Sequence, residues 1–354
     1  MSPLISVDNP PAWDAFVLQS RKPHIFQSWA WGELKARSGW TPHRLALDEG
    51  GRWVCGVSLL EHQIPRIGRS FFYAPRGPVL SPDTPLDRLH ELFLQIRTFA
   101  ESRRSIFLKM DPDVVDSDDW LSPSLLKAGF LFTASGGNFS GIQPQSVMRL
   151  PIEADEETLL KNMDQKARYN IRLGEKKGVV IEQVVEPAGV AEFHKILAIT
   201  AQRDEFIARP LKYFLDIFEK LGAREQAQFF LARHEGKAIA GALAFRFGPV
   251  CWYAYGASSN EQRELMPNHL MQWTMIRWAK EKGCRLYDFR AVPNDPSPEK
   301  PLYGLYRFKK GFNAELTRFI GEYDLVFSPW FYRAWVHAWP AFRNIRKWVL
   351  QKLK

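Results

Sequence analysis

Two lysines stand between aromatics at Phe308-Lys309-Lys310-Gly311-Phe312. An ammonium held in that setting could neutralise an oxyanion developing during acyl transfer. The plain alternative is an exposed loop lysine, the usual fate of that residue. A second set is cationic and aromatic: Arg203 and Arg209 bracket Asp204-Glu205-Phe206, Pro210 suits the first turn of a helix predicted from 211, and Tyr213 follows Arg209 by four positions. Arginines beside a helix N-terminus make either a pyrophosphate clamp or a surface pair. A third set lies on one long helix predicted over 156–177. Leu160, Met163, Ala167, Ile171 and Gly174 form its buried stripe, and Lys166, Arg168, Arg172 and Lys176 fall largely off it. That face is either solvated or a contact for nucleic-acid phosphates. Tyr253 and Tyr255 end a strand before the small residues 256–259, which let a ligand approach the backbone. Asp288, at another strand end, could orient a substrate or cap a turn.

Several chemistries are missing from the pattern. There is no G-x-x-x-x-G-K-[ST] loop, no G-x-G-x-x-G after the first strand, no H-E-x-x-H and no G-x-S-x-G elbow. The three cysteines, Cys55, Cys251 and Cys284, are far apart and suit neither a disulfide framework nor a zinc ribbon. No metal and no cofactor is expected.

The elements that carry these residues repeat. The first half reads helix (29–40), strand, Gly-turn, strand (54–60), strand (70–74), helix (86–103), strand (106–110). The second reads helix (211–221), strand (228–233), Gly-turn, strand (238–247), strand (251–255), helix (268–282), strand (285–289). Gly56 precedes Gly241 by 185 positions, and Tyr73 precedes Tyr253 by 180. A near-constant offset over the same order predicts two α/β (α+β) domains of one design. A length of 354 residues also suits two domains at roughly 150 each. Residues 1–148 form the first, completed by the C-terminal segment 320–354, and 149–319 form the second. One strand is predicted over 319–327.

Charge and hydropathy narrow the partners. Lys and Arg exceed Asp and Glu by 48 to 39, a net charge of +9 that favours an anionic partner. The N-terminus lacks the pattern of a signal peptide, and no apolar run is long enough to span a membrane, so a cytoplasmic location is expected. The tail 329–354 holds six Lys/Arg and no acids, interleaved with Trp330, Phe331, Trp335, Trp339, Phe342 and Trp348. Trp335, Ala338, Phe342, Ile345 and Val349 mark one helical face. Such an end suits contact with an anionic membrane at its inner face, or packing on the first domain with its basic side wet.

Seven segments in order resemble the Fem-type (FemABX) aminoacyltransferases of peptidoglycan interpeptide bridges. They are FQSWAWGELK (26–35), YAPRGPVL (73–80), KARYNIRLGEKKGV (166–179), RDEFIARPLKYF (203–214), YGASS (255–259), HLMQWTMIRWAKEKGCRLYDFRAV (269–292) and GLYRFKKGFNAELTRFIGEYDLV (304–326). The resemblance implies two tandem domains like Gcn5-related N-acetyltransferases, with mixed sheets flanked by helices. It implies transfer of an amino acid from aminoacyl-tRNA to the stem peptide of a UDP-linked or lipid-linked muramyl peptide. Lys35, Arg209 and Tyr213 match the family's phosphate-binding region, Tyr255 its acceptor groove, and Phe308-Lys309 the place where a lysine steadies the tetrahedral intermediate. Tyr73 and Arg76 fall in or beside the R-G-P motif and, with Asp288, shape the site. Lys166, Arg168, Arg172 and Lys176 are candidates for tRNA contact. The segment 221–229 is too short for the helical hairpin that some members carry, so the chain matches the compact form. Asn313 stands where a glycine is frequent. The rival expectations are an acyltransferase of the same fold with another donor, and a non-catalytic RNA- or membrane-binding protein.

Overall fold

The structure, a computed structural model, describes residues 2–133 and 141–337. The first half contains β1 (Leu4–Ser6), α1 (Pro10–Leu18), α2 (Trp29–Ala36), β2 (Thr41–Glu49), β3 (Arg52–Ile64), β4 (Arg69–Ala74), β5 (Val79–Leu80), α3 (Asp87–Ser102), β6 (Ser105–Met110), α4 (Ser122–Lys127) and β7 (Phe130–Thr133). There follow β8 (Ser146–Pro151), α5 (Glu156–Asn162), α6 (Gln165–Lys176), β9 (Val180–Gln183), α7 (Pro187–Arg203), α8 (Leu211–Lys220), β10 (Ala227–His234), β11 (Lys237–Phe247), β12 (Val250–Ser258), α9 (Pro267–Glu281), β13 (Leu286–Ala291), α10 (Tyr303–Lys310), β14 (Glu315–Arg318) and β15 (Glu322–Val326).

These elements form two mixed sheets flanked by helices. The first runs β1-β2-β3-β4-β6-β15-β7 with β5 beside β3, and the second runs β9-β10-β11-β12-β13-β8-β14. Each has one parallel pair, β4 with β6 and β12 with β13. The repeat is therefore deeper than the sequence pattern: β1 and α1 correspond to β9 and α7, and α4 with β7 corresponds to α10 with β14. Gly56 and Gly241 show why the two share a register. A Cβ on Gly56 would lie 3.2 Å from the Phe16 ring of α1, and one on Gly241 would lie 2.8 Å from the Phe193 ring of α7. Each glycine lets a helix seat a phenyl ring on the sheet.

The sheets also exchange a strand. β8 follows β7 in the chain but inserts between β13 and β14 of the second sheet. β15 follows β14 but inserts between β6 and β7 of the first. The strand expected over 319–327 is thus β15, in the first sheet, and a further short strand, β14, precedes it in the second. Gly321, at φ +96°, sits at the corner where the chain leaves one sheet for the other.

One correction concerns the long helix expected over 156–177. It is two helices, α5 and α6, because Met163 and Asp164 are extended at ψ 155° and 145°. Met163 is still buried with Ala167 and Ile171. Arg168 donates to the carbonyls of Lys161 and Met163 at 2.7 and 2.6 Å, satisfying the end of α5.

Packing joins the halves. One core cluster draws Trp13, Phe26 and Trp31 from the first half and Phe193, Phe214 and Trp252 from the second. The stretch 329–337 is helical and lies on the first sheet, with Trp335 5.2 Å from Phe71 and Tyr332 5.5 Å from Phe107 between ring centroids. Ala338, Phe342, Ile345 and Val349 of the tail face lie outside the described residues. Among the described residues no helix is long and apolar enough to cross a membrane.

Candidate active site between the two sheets

Ser28 caps α2 through the amide of Trp31, and Lys35 lies in its last turn. Arg37, two residues on, binds Asp216 at 2.6 Å and Glu219 at 2.7 Å, tying α2 of the first half to α8 of the second. That tie sets Lys35 opposite Tyr213. The Lys35 Nζ is 4.8 Å from the Trp31 ring centre and 5.5 Å from that of Tyr213. The Arg209 guanidinium lies 5.4 Å from the same Tyr213 ring, and the Arg209 backbone carbonyl accepts from His194 Nε2 at 3.0 Å. Tyr255, half-buried on β12, stands beside Tyr213. Burial and the Tyr255 hydroxyl push the Tyr213 phenol up. Residues from three places far apart in sequence, 35, 209–213 and 255, thus form one patch.

Neither Lys35 nor Arg209 has an acidic partner among the described residues. Burial, then the charge of Arg209, pulls the Lys35 amine down to about 8. Two neighbouring cations with no counter-ion on the protein are an arrangement that a bound anion would relieve.

Beside this patch the strands of the second sheet part. β12 and β13 pair only from Val250–Trp252 against Leu286–Asp288. Past that point lie Tyr255 on one arm and Arg290 on the other. Lys309 is placed on α10, not in a loop, and is 3% exposed. Its Nζ donates to the carbonyls of Phe289, Arg290 and Ala291 at 2.6, 3.3 and 2.7 Å. Burial pulls the amine down to about 7, against the pull of Asp288. Direct contact with an oxyanion requires Lys309 to give up one of those three bonds. The helix carrying it ends at Gly311, and Asn313 takes φ +63°, so the turn accepts asparagine in left-handed geometry.

Asp288 is buried in β13. It accepts from Arg149 Nε at 3.0 Å and from the Arg290 amide at 2.6 Å. Arg149 also forks onto Asp113 at 2.8 Å and so links the two halves. Against burial, Arg149 holds the Asp113 carboxyl well below the carboxylate range. Tyr73 and Arg76 meet at Asp111: the Tyr73 hydroxyl donates to Oδ2 at 2.6 Å and the Arg76 amide to Oδ1 at 2.8 Å. Burial raises Asp111 to about 6.

The structure thus brings Lys35, Arg209, Tyr213 and Tyr255 into one patch and sets Tyr73, Arg76, Asp288 and Lys309 about Arg290, where the two sheets meet. Phe308 stands apart. It faces a separate cavity of about 190 Å³ with Ser258, Asn268 and His269. Lys166, Arg172 and Lys176 are exposed on α6, whereas Arg168 is occupied by carbonyls. Sequence reasoning missed Asp111, Asp113, Arg149 and Arg290. The acids at 111 and 113 carried a signal, directly after a predicted strand, and the arginines carried none.

The sequence model described as the FemAB family matches residues 10–238 and 223–338. A lipid II:glycine glycyltransferase of Staphylococcus aureus (strain MRSA252) is 27% identical over 410 aligned positions, covering 96% of this chain and 97% of that protein. Among solved structures, FemX superposes with a TM-score of 0.86 at 26% identity, covering 94% of this chain and 99% of that one. A tandem GNAT protein from the clavulanic acid biosynthesis pathway shares the fold, with a TM-score of 0.57 at 11% identity over 93% of this chain and 99% of its own.

Proposed function

The chain belongs to the FemAB family, and from that premise we propose that it transfers an amino acid from aminoacyl-tRNA to an amine on the stem peptide of a peptidoglycan precursor. The observation that carries this reading is the pair Lys35 and Arg209, two cations without acidic partners among the described residues, both beside the Tyr213 ring. They suit the diphosphate that both UDP-linked and lipid-linked precursors contain. The similarity to a lipid II:glycine glycyltransferase supports the lipid-linked form. So does a basic aromatic tail whose described part leaves Trp330 81% exposed, which suits peripheral contact with an anionic membrane.

The chemistry is an ester-to-amide exchange. A neutral acceptor amine attacks the ester carbonyl carbon of the donor and a C–N bond forms. The bond from that carbon to the ribose oxygen then breaks, and the amine proton leaves with that oxygen. The ester is already activated, so the protein's part is alignment and charge stabilisation. The clamp holds one end of the acceptor. Tyr213 and Tyr255 shape the groove that leads to the parted strands. Lys166, Arg172 and Lys176 offer phosphate contacts to the donor's RNA backbone.

The test mixes purified protein with charged total tRNA, labelled amino acids and either UDP-linked or lipid-linked precursor. Label in the precursor that RNase abolishes is the expected result. It names the amino acid and the acceptor form together. Transfer that survives RNase points to another acyl donor. Precursor or tRNA binding without any product points to a non-catalytic binding protein.

A further inference from the structure

Strand β13 does not end in a regular ladder. Its pairing with β8 shifts register between Asp288 and Ala291, and Arg290 inside that break has φ +60°. Left-handed backbone is uncommon for a residue other than glycine and is kept only where its surroundings fix it. Here they do so from two sides. The Arg290 amide donates to Asp288, itself held by Arg149. From α10, Lys309 donates to three successive carbonyls of this one segment. An ammonium has three N–H donors, and all three serve the bulge.

A bulge re-aims a side chain, and the side chain re-aimed is Arg290. Its guanidinium lies 5.5 Å over the Phe26 ring and donates to Gln143 Oε1 at 2.9 Å, both in the first half or the link that follows it. No carboxylate lies within hydrogen-bond or ion-pair distance of it among the described residues. It is half-buried, just beyond the point where β12 and β13 part, and feels the charge of Asp288 first, then of Arg76, Tyr255 and Tyr73.

We propose that Arg290 binds a carboxylate of the peptide acceptor, and that Lys309 is a positioning residue that acts through it. The proposal rests on the acceptor assigned above. A precursor held by its diphosphate at Lys35 and Arg209 lays its peptide along the groove toward the parted strands. That peptide carries carboxylates, one internal and one C-terminal. A planar guanidinium matches a carboxylate in two parallel hydrogen bonds, as a lysine does not. The guanidinium with no carboxylate in hydrogen-bond reach therefore stands where the acceptor's acid arrives.

The experiment is calorimetric binding of four probes: UDP alone, UDP-linked muramyl pentapeptide, and the same precursor amidated at its internal or at its C-terminal carboxylate. The wild type should bind the free acid roughly 10- to 100-fold more tightly than one of the two amidated forms, which identifies the carboxylate read. Arg290→Gln should bind all three precursors alike, with UDP affinity held within about twofold because the clamp is separate. Arg290→Gly should do the same, and since glycine suits this φ its melting temperature should not fall. Lys309→Met should lose the same discrimination as Arg290→Gly.

A wild type that binds the three precursors equally, or an Arg290→Gly that keeps the preference, overturns the assignment while leaving the diphosphate clamp in place. A selective loss of UDP affinity in the Arg290 variants assigns the guanidinium to the diphosphate and also overturns it. Lys309→Met that keeps the preference while transfer collapses gives Lys309 a direct role and overturns the second half. A wild type that binds neither UDP nor any precursor refutes the acceptor reading itself.

Discussion

Lys35 has no acidic partner among the described residues, and that has two opposed consequences. Lys35→Met should remove most acceptor affinity, a loss of roughly tenfold or more for a charge-assisted contact, measured by UDP binding. It should also raise the melting temperature at pH 7, because a cation depressed to about 8 by burial destabilises the state that buries it. The sign of the pH effect follows. Between about 8 and the ordinary lysine value of 10.5, the unfolded chain binds more protons at this site than the folded one. Stability therefore rises with pH across that window and the unfavourable contribution is fully present below it. In Lys35→Met the rise should flatten, and an unchanged slope would separate Lys35 from it. These residues were legible in the sequence because each falls in a recognisable segment. Arg290 was not, since nothing in LYDFRAV announces that the ladder slips there. A bulge depends on which strand pairs alongside, and β8 lies about 140 residues upstream.

The basic face on α6 was legible as a cluster but not member by member. Four cations looked equivalent on one continuous helix. The break at Met163 and Asp164 separates them, since Arg168 closes α5 while Lys166, Arg172 and Lys176 face solvent. Changing those three to alanine should weaken tRNA binding and lower its log–log salt slope by about two, read from affinities at several salt concentrations. Arg168→Ala should instead lower the melting temperature and leave that slope within error. The tie between α2 and α8 makes a similar distinction. Arg37→Ala frees α2 from Asp216 and Glu219 and should raise the acceptor KM several-fold. Global stability should change by only about 1 kcal/mol, since Glu219 is exposed and the buried Asp216 keeps its pairing with Lys212. Strand and helix types were readable from periodicity in both halves, whereas α1 and α7 were passed over because their partners, Gly56 and Gly241, lie in other elements.

The exchange of β8 and β15 makes the two sheets one mechanical unit. A chain ending at 319 lacks the strand between β6 and β7, and should lose the structure of the first sheet and the contacts it gives the second. The full chain should unfold in one transition with equal calorimetric and van't Hoff enthalpies, although it holds two sheets. Two separate transitions would show that the exchange does not couple them. The sequence carried the repeat and the expectation that 320–354 completes the first domain, but not the slot its strand fills, because a strand's periodicity names its faces and not its neighbours. The exchange also bears on how the protein is made. The sheet that begins first on the ribosome is finished last. From Thr133, the end of β7, to Val326 are 193 residues, which at 5–20 residues per second take roughly 10–39 s to synthesise. Through that interval β6 and β7 bound an empty slot, and their unpaired edges invite a strand from a neighbouring nascent chain. Crowded polysomes and slow translation of the second half are then the conditions under which this protein is most exposed to aggregation, before it has met any substrate.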